Sequence, residues 1–328
     1  MKYEKLGNTT IEVSKLSVGC MSFGEASALG HGGWTLNADE SEVLVKQALD
    51  HGINFFDTAN IYAGGTSEIF LGRAIKNNIP RDKVVLASKV YFNEGNMTPN
   101  AGNLSKEAIA REIDGTLKRL GTDYLDLYII HRFDKSTPVT ETMEALNTLV
   151  KAGKVRALGA SAMYGYQFHN MQLAAEQNGW AKFESMQNHY NLLYREDERE
   201  LIPICKQYGV SLTPYSPLAA GRLARPEWHT NTKRSQSDKT AIAKYDSTEN
   251  EDKKIVVRVQ ELAEKHKATM SQISLAWQFA KGVTSPIIGA TKATYFDDAV
   301  GALTIELTPE EVGYLEALYV PHKIVGAL

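Results

Sequence analysis

Four side chains in the sequence are of types that can hold or transfer a proton: Asp57, Tyr62, Lys89 and His131. Asp57, Lys89 and His131 each end an apolar run that predicts a strand, and Tyr62 follows Asp57 by five positions. A tyrosine, with a pKa of about 10, is a poor acid at neutral pH. An ammonium group about 4 Å away stabilises the phenolate by roughly 4 kcal/mol at an effective dielectric constant near 20, until desolvation of the phenolate opposes it. These residues therefore predict acid catalysis by a phenol.

The other three side chains have complementary tasks in this hypothesis. Lys89 supplies the positive charge beside Tyr62. Asp57 keeps the buried Lys89 charged and oriented, because a lone buried ammonium is costly. Neutral His131 donates a hydrogen bond to a carbonyl oxygen and holds it near the phenol. Such a site protonates an alkoxide that a hydride donor has just formed, so we expect a bound reductant.

A repeated pattern of amphipathic helix, glycine and apolar run predicts the elements that position these residues. The helices stop at glycines separated by one or two multiples of about 30 residues, the length of one strand-loop-helix-loop unit: Gly52, Gly121, Gly153, Gly179 and Gly209. Short apolar runs alternate with the helices, which is typical of a wholly parallel sheet: residues 15–20, 53–57, 84–89, 125–131, 155–160, 184–188, 211–216 and 286–289. Eight such units favour a closed (β/α)₈ barrel over an open doubly wound sheet.

We therefore expect an α/β fold with one domain over residues 1–328, a single (β/α)₈ TIM barrel. An N-terminal β-hairpin is expected over the barrel bottom, with an extra helix at the C-terminus and a long loop at about 220–254. The helix predicted over residues 39–51 opens with Asp39 and Glu42 as a capping box. The part of the long loop from 225 to 254 is polar, and we expect it to fold over a bound cofactor.

Polar residues at the ends of the later strands suit a nicotinamide cofactor. Ser161 and Gln187 could bind a carboxamide, and Tyr215 could stack on the ring. Residues 215–222 offer backbone amides, a hydroxyl and a guanidinium to a pyrophosphate, and residues 289–292 follow the last strand, where barrels often bind phosphate. The glycine motifs of Rossmann and P-loop proteins are absent from the sequence.

Composition and charge disfavour several other functions. The chain has 328 residues and a formal net charge of −3, so nucleic acid and anionic membrane surfaces are poor partners. We find no stretch approaching about 18 apolar residues and no signal-peptide pattern. Cys20 and Cys205 are interpreted as packed thiols in a reducing compartment. We expect a cytoplasmic protein without a metal site.

Taken together, these segments resemble the aldo-keto reductase superfamily. Three of them look like its signatures for an Asp/Tyr/Lys/His tetrad: residues 56–62, 87–89 and 127–131. Four more match in order and spacing: residues 153–156, 159–161, 186–191 and 215–218. The resemblance covers nearly the whole chain. Within the superfamily the chain is most similar to bacterial YajO-type members, which are themselves similar to yeast aryl-alcohol dehydrogenase-like proteins and, more distantly, to potassium-channel β-subunits.

The resemblance implies an NADP-dependent oxidoreductase that reduces aldehydes or ketones to alcohols, with hydride from NADPH and a proton from Tyr62. It also implies a set of residues that hold the cofactor: Ser161, Gln187, Tyr215, Ser216, Pro217, Leu218, Gly221, Arg222, Gly289, Thr291, Lys292 and Asp298. It further implies a preference for NADPH over NADH, with Lys292 as the partner of the 2′-phosphate. Two departures from the family pattern are present: Ala162 replaces the usual asparagine beside Ser161, and Asp298-Ala299 replaces the usual Glu-Asn pair that contacts the adenine.

The substrate pocket is predicted to be lined by aromatic residues and one arginine: Trp34, Tyr91, Phe92 and Arg132. The aromatic residues suit an aryl or lipophilic carbonyl compound. Arg132 could bind a carboxylate or phosphate of the substrate, or it could be neutralised by Asp134. A small-molecule partner is expected, and the sequence is compatible with a homo-oligomer.

Two other functions remain open at this stage. One is a binding module that senses nicotinamide cofactors with slow turnover, like the channel β-subunits. The other is a Schiff-base aldolase or isomerase with Lys89 as nucleophile. Asp57 disfavours the second, since it should keep Lys89 charged and therefore poorly nucleophilic.

Overall fold

The computed structural model describes residues 1–25, 35–92, 103–228, 239–289, 291–292 and 294–325. Strands β1 (Tyr3–Lys5) and β2 (Glu12–Ser14) form an antiparallel hairpin. Eight parallel strands form the main sheet: β3 (Ser17–Gly19), β4 (Phe55–Asp57), β5 (Val85–Val90), β6 (Leu125–Ile130), β7 (Val155–Ser161), β8 (Phe183–Gln187), β9 (Ser211–Leu212) and β10 (Ile287–Gly289).

Backbone hydrogen bonds join the two ends of this sheet. β10 pairs with β3, so the sheet order runs from β10 through β3 to β9. The N–H groups of Thr284 and Ser285 donate to the Leu212 carbonyl, and that of Ile287 donates to the Pro214 carbonyl. These bonds bring β10 beside β9 as well. The predicted (β/α)₈ fold is confirmed.

Helices connect the strands: α1 (Ala38–Asp50), α2 (Thr66–Asn78), α3 (Lys106–Leu120), α4 (Val139–Lys151), α5 (Gly165–Asn178), α6 (Leu201–Tyr208), α7 (Lys239–Tyr245), α8 (Glu249–His266), α9 (Met270–Ala280), α10 (Thr294–Gly301) and α11 (Pro309–Glu316). The predicted stop glycines are confirmed. Gly121, Gly179 and Gly209 directly follow α3, α5 and α6 at φ of 64°, 65° and 67°. This left-handed conformation is costly for other residues and common at helix ends.

The predicted capping box of α1, Asp39 with Glu42, is wrong. Asn37 is the N-cap: its Oδ1 accepts hydrogen bonds of 3.0 Å from the N–H groups of Asp39 and Glu40, and Glu40 Oε2 accepts one of 2.9 Å from the Asn37 N–H. Asp39 instead pairs with Arg73 on α2. Asparagine and aspartate are equally good N-caps, so the sequence pattern did not separate the two starting points.

The polar segment from 225 to 254 is partly helical, contrary to the prediction of a loop. α7 and the start of α8 lie in it, joined by a 3₁₀ turn at Asp246–Thr248. The buried aliphatic residues of α8 begin only at Ile255, so hydrophobic periodicity gave no signal for its first turns. Residues 229–238, on which the expected closure over a cofactor also depends, lie outside the described residues.

Alternation along the strands determines which side chains enter the barrel. The lower part of the interior is an apolar cluster: Leu6, Val13, Phe55, Val85, Ala87, Leu127, Ile129 and Ala157. Leu6 and Val13 belong to the N-terminal hairpin region, which therefore closes the barrel bottom as predicted. Two residues further along the chain from Phe55, Ala87 and Ile129 come Asp57, Lys89 and His131. The proposed catalytic residues thus lie directly above an apolar floor.

Both cysteines, Cys20 and Cys205, are buried free thiols, as predicted. Within the ranges that the structure describes, no helix combines the length and the apolar character needed to cross a membrane. Over the same ranges, no group of three or more His, Cys, Asp or Glu side chains is placed to hold a metal ion.

Candidate active site

Neighbouring strands bring three of the predicted catalytic residues to the same end of the barrel. Asp57 is the Cα partner of Ala87, and Lys89 is the partner of Ile129. Lys89 therefore lies one side-chain level above Asp57. The N–H of His131, directly after β6, donates to the Val90 carbonyl at 2.8 Å. His131 is thereby held beside the end of β5.

A tight turn after β4 brings Tyr62 back over this end of the barrel. The loop before the turn is tied down by Asn60, whose Nδ2 donates to the Phe92 carbonyl at 2.9 Å and to Glu112 Oε2 at 2.8 Å. The 3₁₀ turn begins at Tyr62 and ends at Gly65, which has a φ of 86°. Glycine adopts this conformation without steric cost, so the turn can reverse the chain within a few residues.

Lys89 lies at the centre of the catalytic group. Its Nζ donates to Asp57 Oδ1 at 2.6 Å, to the Thr58 carbonyl at 2.8 Å and to the Tyr62 hydroxyl at 3.1 Å. An ammonium has three hydrogens to donate, and each has an acceptor here. Lys89 is fully buried and Asp57 is 2% exposed, whereas Tyr62 is half-buried. The structure therefore brings these predicted residues into direct contact.

His131 lies next to Tyr62 on the open side. Their ring centroids are 5.9 Å apart and the rings meet edge to face at 82°. Burial and the charges of Lys89 and Arg132 lower the pKa of His131 well below its ordinary value, so the imidazole is neutral at neutral pH. Its Nδ1 is buried and has no hydrogen-bond partner among the described residues. A neutral imidazole has one nitrogen that donates, as the proposed role requires.

Two opposing influences act on the pKa of Tyr62. Burial raises it more than the charge of Lys89 lowers it, so it lies above its ordinary value. The ammonium acts in the expected direction, but desolvation of the phenolate is the larger effect in the protein alone. Burial also lowers the pKa of Lys89, but Asp57 and Tyr62 together outweigh this and raise it. Lys89 therefore stays charged, which disfavours the Schiff-base alternative.

β7 and β8 end in the two residues predicted to bind a carboxamide. Ser161 and Gln187 are direct Cα partners and are 2% and 4% exposed. Gln187 Nε2 donates to Asp57 Oδ2 at 2.9 Å, which leaves its Oε1 oxygen to accept a hydrogen bond. Sequence reasoning missed this link, because it joins residues 130 positions apart. Ala162 has a φ of 46°, a conformation that asparagine adopts more readily.

The chain after β9 makes a sharp turn beside Tyr215. Ser216, Ala219, Ala220 and Gly221 have φ values of 55°, 48°, 54° and 94°. Non-glycine residues in this region are strained and cluster at ligand sites. Pro217 is buried and Leu218 is half-buried. Three of the N–H groups predicted to face a pyrophosphate are already used within the turn: those of Ala219, Gly221 and Arg222 donate to the carbonyls of Ser216, Leu218 and Ala219. The guanidinium of Arg222 remains as the charged donor of this segment for a pyrophosphate.

Arg222 is largely buried rather than solvated. It forms an ion pair with Asp246, and its side chain is 12% exposed. Its Cζ lies 5.3 Å from the ring centroid of Trp228 and 5.1 Å from that of Tyr245. Nε of Arg222 is buried and lacks a partner in the described part of the chain. The guanidinium is thus held in place with a donor still to be satisfied.

The predicted residues near β10 differ in their surroundings. Gly289 and Lys292 are exposed and Thr291 is half-buried. Asp298 lies on α10, where its Oδ1 accepts a hydrogen bond of 2.5 Å from Thr269 Oγ1, the N-cap of α9. Asp298 therefore has a structural partner in addition to its predicted role near the adenine.

Aromatic side chains line the open side of the site. The centroid of Phe92 is 5.3 Å from that of His131, at 83°, and Tyr91 packs edge to face on Phe92 at 5.0 Å. Phe92 is half-buried and Tyr91 is buried. Trp34, which was predicted to complete this wall, lies outside the described residues.

Arg132 lies on the open side of the site, near Phe92. Its Cζ is 5.8 Å from the ring centroid of Phe92, and its charge helps to lower the pKa of His131. Asp134, considered as its neutralising partner, accepts hydrogen bonds from the backbone or side chains of three residues: Leu104, Ser136 and Thr137. These donors help to lower the pKa of Asp134.

Comparison with known proteins assigns the chain to a family. The family model described as Aldo/keto reductase family matches residues 15–320. A versiconal hemiacetal acetate reductase of Aspergillus parasiticus is 42% identical, over 99% of this chain and 98% of its own. Putative aryl-alcohol dehydrogenases of Schizosaccharomyces pombe and Saccharomyces cerevisiae are 41% and 38% identical, over 99% and 98% of this chain and 98% of each relative. The chain belongs to the aldo/keto reductase family.

Family membership makes the protein an oxidoreductase of a class that generally uses nicotinamide cofactors. The yeast relatives agree with the predicted similarity to aryl-alcohol dehydrogenase-like proteins. The three relatives named above are all fungal. They do not point to the bacterial YajO-type branch, which stays a prediction.

Proposed function

We propose that the protein reduces an aldehyde or ketone to an alcohol, with NADPH as hydride donor and Tyr62 as proton donor. The observation that carries this proposal is the position of Lys89 Nζ, which lies 2.6 Å from Asp57 Oδ1 and 3.1 Å from the Tyr62 hydroxyl. Family membership supports the reaction class. The roles of the individual residues are our inference from their geometry.

Two side chains act on the carbonyl oxygen of the substrate. His131, which is neutral, donates a hydrogen bond to that oxygen and holds it near the Tyr62 hydroxyl. Bound NADPH supplies a hydride to the carbonyl carbon. Tyr62 gives its proton to the oxygen as negative charge develops there, and the product is an alcohol. Lys89 stabilises the tyrosinate that is left, and Asp57 keeps Lys89 charged.

The cofactor would be held along the later strand ends. Ser161 and Gln187 would bind the carboxamide, and Tyr215 would lie against the nicotinamide ring. Lys292 would meet the 2′-phosphate, which favours NADPH over NADH. The remaining contacts would come from the two phosphate-binding segments and α10: Ser216, Pro217, Leu218, Gly221, Arg222, Gly289, Thr291 and Asp298.

Aryl or lipophilic carbonyl compounds fit the open side of the site best. Phe92 and Tyr91 present aromatic surface next to His131. Putative aryl-alcohol dehydrogenases among the relatives support this choice. Arg132 would add affinity for substrates that carry a carboxylate or phosphate.

Loss of nicotinamide absorbance with a panel of aldehydes and ketones, 4-nitrobenzaldehyde among them, tests the proposal. NADPH and NADH are compared in parallel, and the alcohol product is identified by mass spectrometry. We expect one alcohol for each cofactor oxidised, with a higher kcat/KM for NADPH. Tight NADPH binding without steady turnover on any substrate would contradict the proposal and favour the cofactor-sensing alternative.

A further inference from the structure

Three consecutive residues at the end of α7 each contact a different part of the proposed cofactor site: Lys244 contacts Tyr215, Tyr245 contacts His189, and Asp246 contacts Arg222. The middle contact joins two neutral groups: the Tyr245 hydroxyl lies 2.6 Å from Nε2 of His189. Sequence analysis singled out neither Tyr245 nor His189 as a functional residue.

His189 is the middle ring of a stack of three. Its centroid lies 4.2 Å from that of Tyr194, at an interplanar angle of 17°, and 5.1 Å from that of Tyr215, at 8°. His189 and Tyr194 are 3% exposed, whereas Tyr215 is half-buried. Tyr215 is therefore the outer ring, and His189 supports it from behind. Near-parallel aromatic rings hold one another's planes through dispersion and their quadrupoles.

Tyr245 holds the edge of the His189 ring. Its hydroxyl lies 3.1 Å from Asn191 Nδ2, which also donates to the Ser216 carbonyl at 2.9 Å. Because a carbonyl can only accept, the atom of Asn191 that faces Ser216 is the nitrogen, and the Tyr245 hydroxyl must accept from it. The hydroxyl proton is then directed to Nε2 of His189. Burial, together with the charges of Lys244 and His322, lowers the pKa of His189 well below its ordinary value, so the ring is neutral and can accept.

We propose that Tyr245 is a positioning residue which, through His189, sets the plane of Tyr215 for contact with the nicotinamide ring. This inference rests on the proposed function. The hydrogen bond at Nε2 prevents rotation of the His189 ring, and the parallel stack transmits that orientation to Tyr215. Without the hydroxyl, the His189 ring is held less firmly in its plane, and the outer ring loses part of its flat support.

The test is Tyr245→Phe, which keeps the buried ring and removes only the hydroxyl. We expect the Kd for NADPH, measured by cofactor fluorescence, to rise about fivefold to tenfold, the factor that one hydrogen bond of ordinary strength gives. The KM for the carbonyl substrate at saturating NADPH should not change. The thermal midpoint without cofactor should fall by a few degrees, because His189 and Asn191 lose a buried partner. A residue that acted only on stability would lower the midpoint and leave the Kd unchanged.

Tyr190→Phe is the matched control. Tyr190 is also a buried tyrosine that donates its hydroxyl proton, in its case to Glu198, and it lies outside the stack. The Kd of Tyr190→Phe for NADPH should equal that of the wild type. His189→Phe provides a second variant, since it keeps a flat ring but has no acceptor for Tyr245. We expect the same rise in Kd as in Tyr245→Phe, and no further rise in the double variant.

Two results would overturn the inference, and they are distinguishable. If the wild type oxidises NADPH with a carbonyl substrate and both variants bind NADPH as tightly as it does, the positioning role is wrong and the proposed function stands. If the wild type itself neither binds NADPH nor turns over, the proposed function fails and this inference fails with it.

Discussion

Lys89 has an oxygen acceptor for each of its three ammonium hydrogens: Asp57 Oδ1, the Thr58 carbonyl and the Tyr62 hydroxyl. This arrangement keeps the charge directed at the phenol. Desolvation alone lowers the pKa of Lys89, and Asp57 is the largest influence that raises it again. In the proposed reaction, Asp57 therefore acts through Lys89, by keeping the buried ammonium protonated.

Substitution of the counterion tests this dependence. In Asp57→Asn, the pKa of Lys89 should fall, because Asp57 is the largest of the influences that oppose desolvation. Lys89 then loses its proton at a lower pH, and the phenolate loses its stabilising charge. We expect the alkaline limb of the kcat profile to move to lower pH and kcat at neutral pH to fall by about 10²-fold.

Steady-state rates over a pH series provide the measurement. Asp50→Asn is the control, since Asp50 is exposed at the end of α1 and pairs with Lys46. Its profile should match that of the wild type. An alkaline limb of Asp57→Asn at the wild-type position would show that Lys89 does not depend on Asp57.

At the level of the elements, local sequence pattern predicted the barrel strands and the helix ends, and the elements that it missed have physical causes. The barrel strands and the stop glycines were predictable because each depends on a few adjacent residues. β9 is shorter than the predicted 211–216, although the Thr213 and Tyr215 N–H groups continue its pairing, with Met186 of β8 and with Asn188 directly after β8. The first turns of α8 were missed because they are acidic and contain few buried aliphatic residues.

The packing of α2 on α3 depends on a glycine. A Cβ atom at Gly72 would lie 2.3 Å from the backbone carbonyl oxygen of Leu120, which cannot move aside as a flexible side chain can. We expect Gly72→Ala to lower the free energy of unfolding by about 1–3 kcal/mol. Gly313 on α11 is a matched control, because a Cβ atom there meets nothing within 4 Å. Gly313→Ala should raise the stability by up to about 1 kcal/mol. Chemical denaturation measures both, and shifts in the same direction would contradict this account of the helix contact.

The segment after α11 is held by a buried ion pair. His322 Nε2 lies 3.0 and 3.1 Å from the carboxylate oxygens of Asp252, and the His322 N–H donates to Glu196 at 2.8 Å. Burial lowers the pKa of His322, but Asp252, with help from Glu196, outweighs this and raises it. A raised pKa in the folded state means that the pair contributes its full stability below the ordinary histidine pKa and loses it as the pH rises through the raised value.

The raised pKa of His322 predicts how stability changes with pH. His322→Gln should lower the thermal midpoint by several degrees at a pH of about 5.5 and by clearly less at a pH of about 9. Thermal melts at the two pH values measure the difference. In an Asp252→Asn background, His322→Gln should lower the thermal midpoint equally at the two pH values. If His322→Gln alone also lowered the midpoint equally at the two pH values, His322 would be held by packing alone.

In the molecule as a whole, the barrel interior is apolar at the bottom and polar at the open end. Residues distant in sequence meet at the open end because neighbouring strands end there. Resemblance of motifs was enough to predict the family, which the comparisons confirm. It was not enough to predict the contacts that join distant segments, such as Gln187 with Asp57 or Arg222 with Asp246. Such contacts depend on tertiary packing rather than on local pattern, and the net pKa of Tyr62 depends on burial in the same way.

The most direct test of the central claim is the rate of carbonyl reduction by Tyr62→Phe saturated with NADPH. The substitution keeps the ring and removes the hydroxyl that lies 3.1 Å from Lys89 Nζ. We predict that kcat falls by about 10²-fold to 10⁴-fold, the usual contribution of a positioned general acid, while the Kd for NADPH stays within about twofold of the wild type. Turnover at the wild-type rate with the cofactor bound would contradict the assignment of Tyr62 as the proton donor.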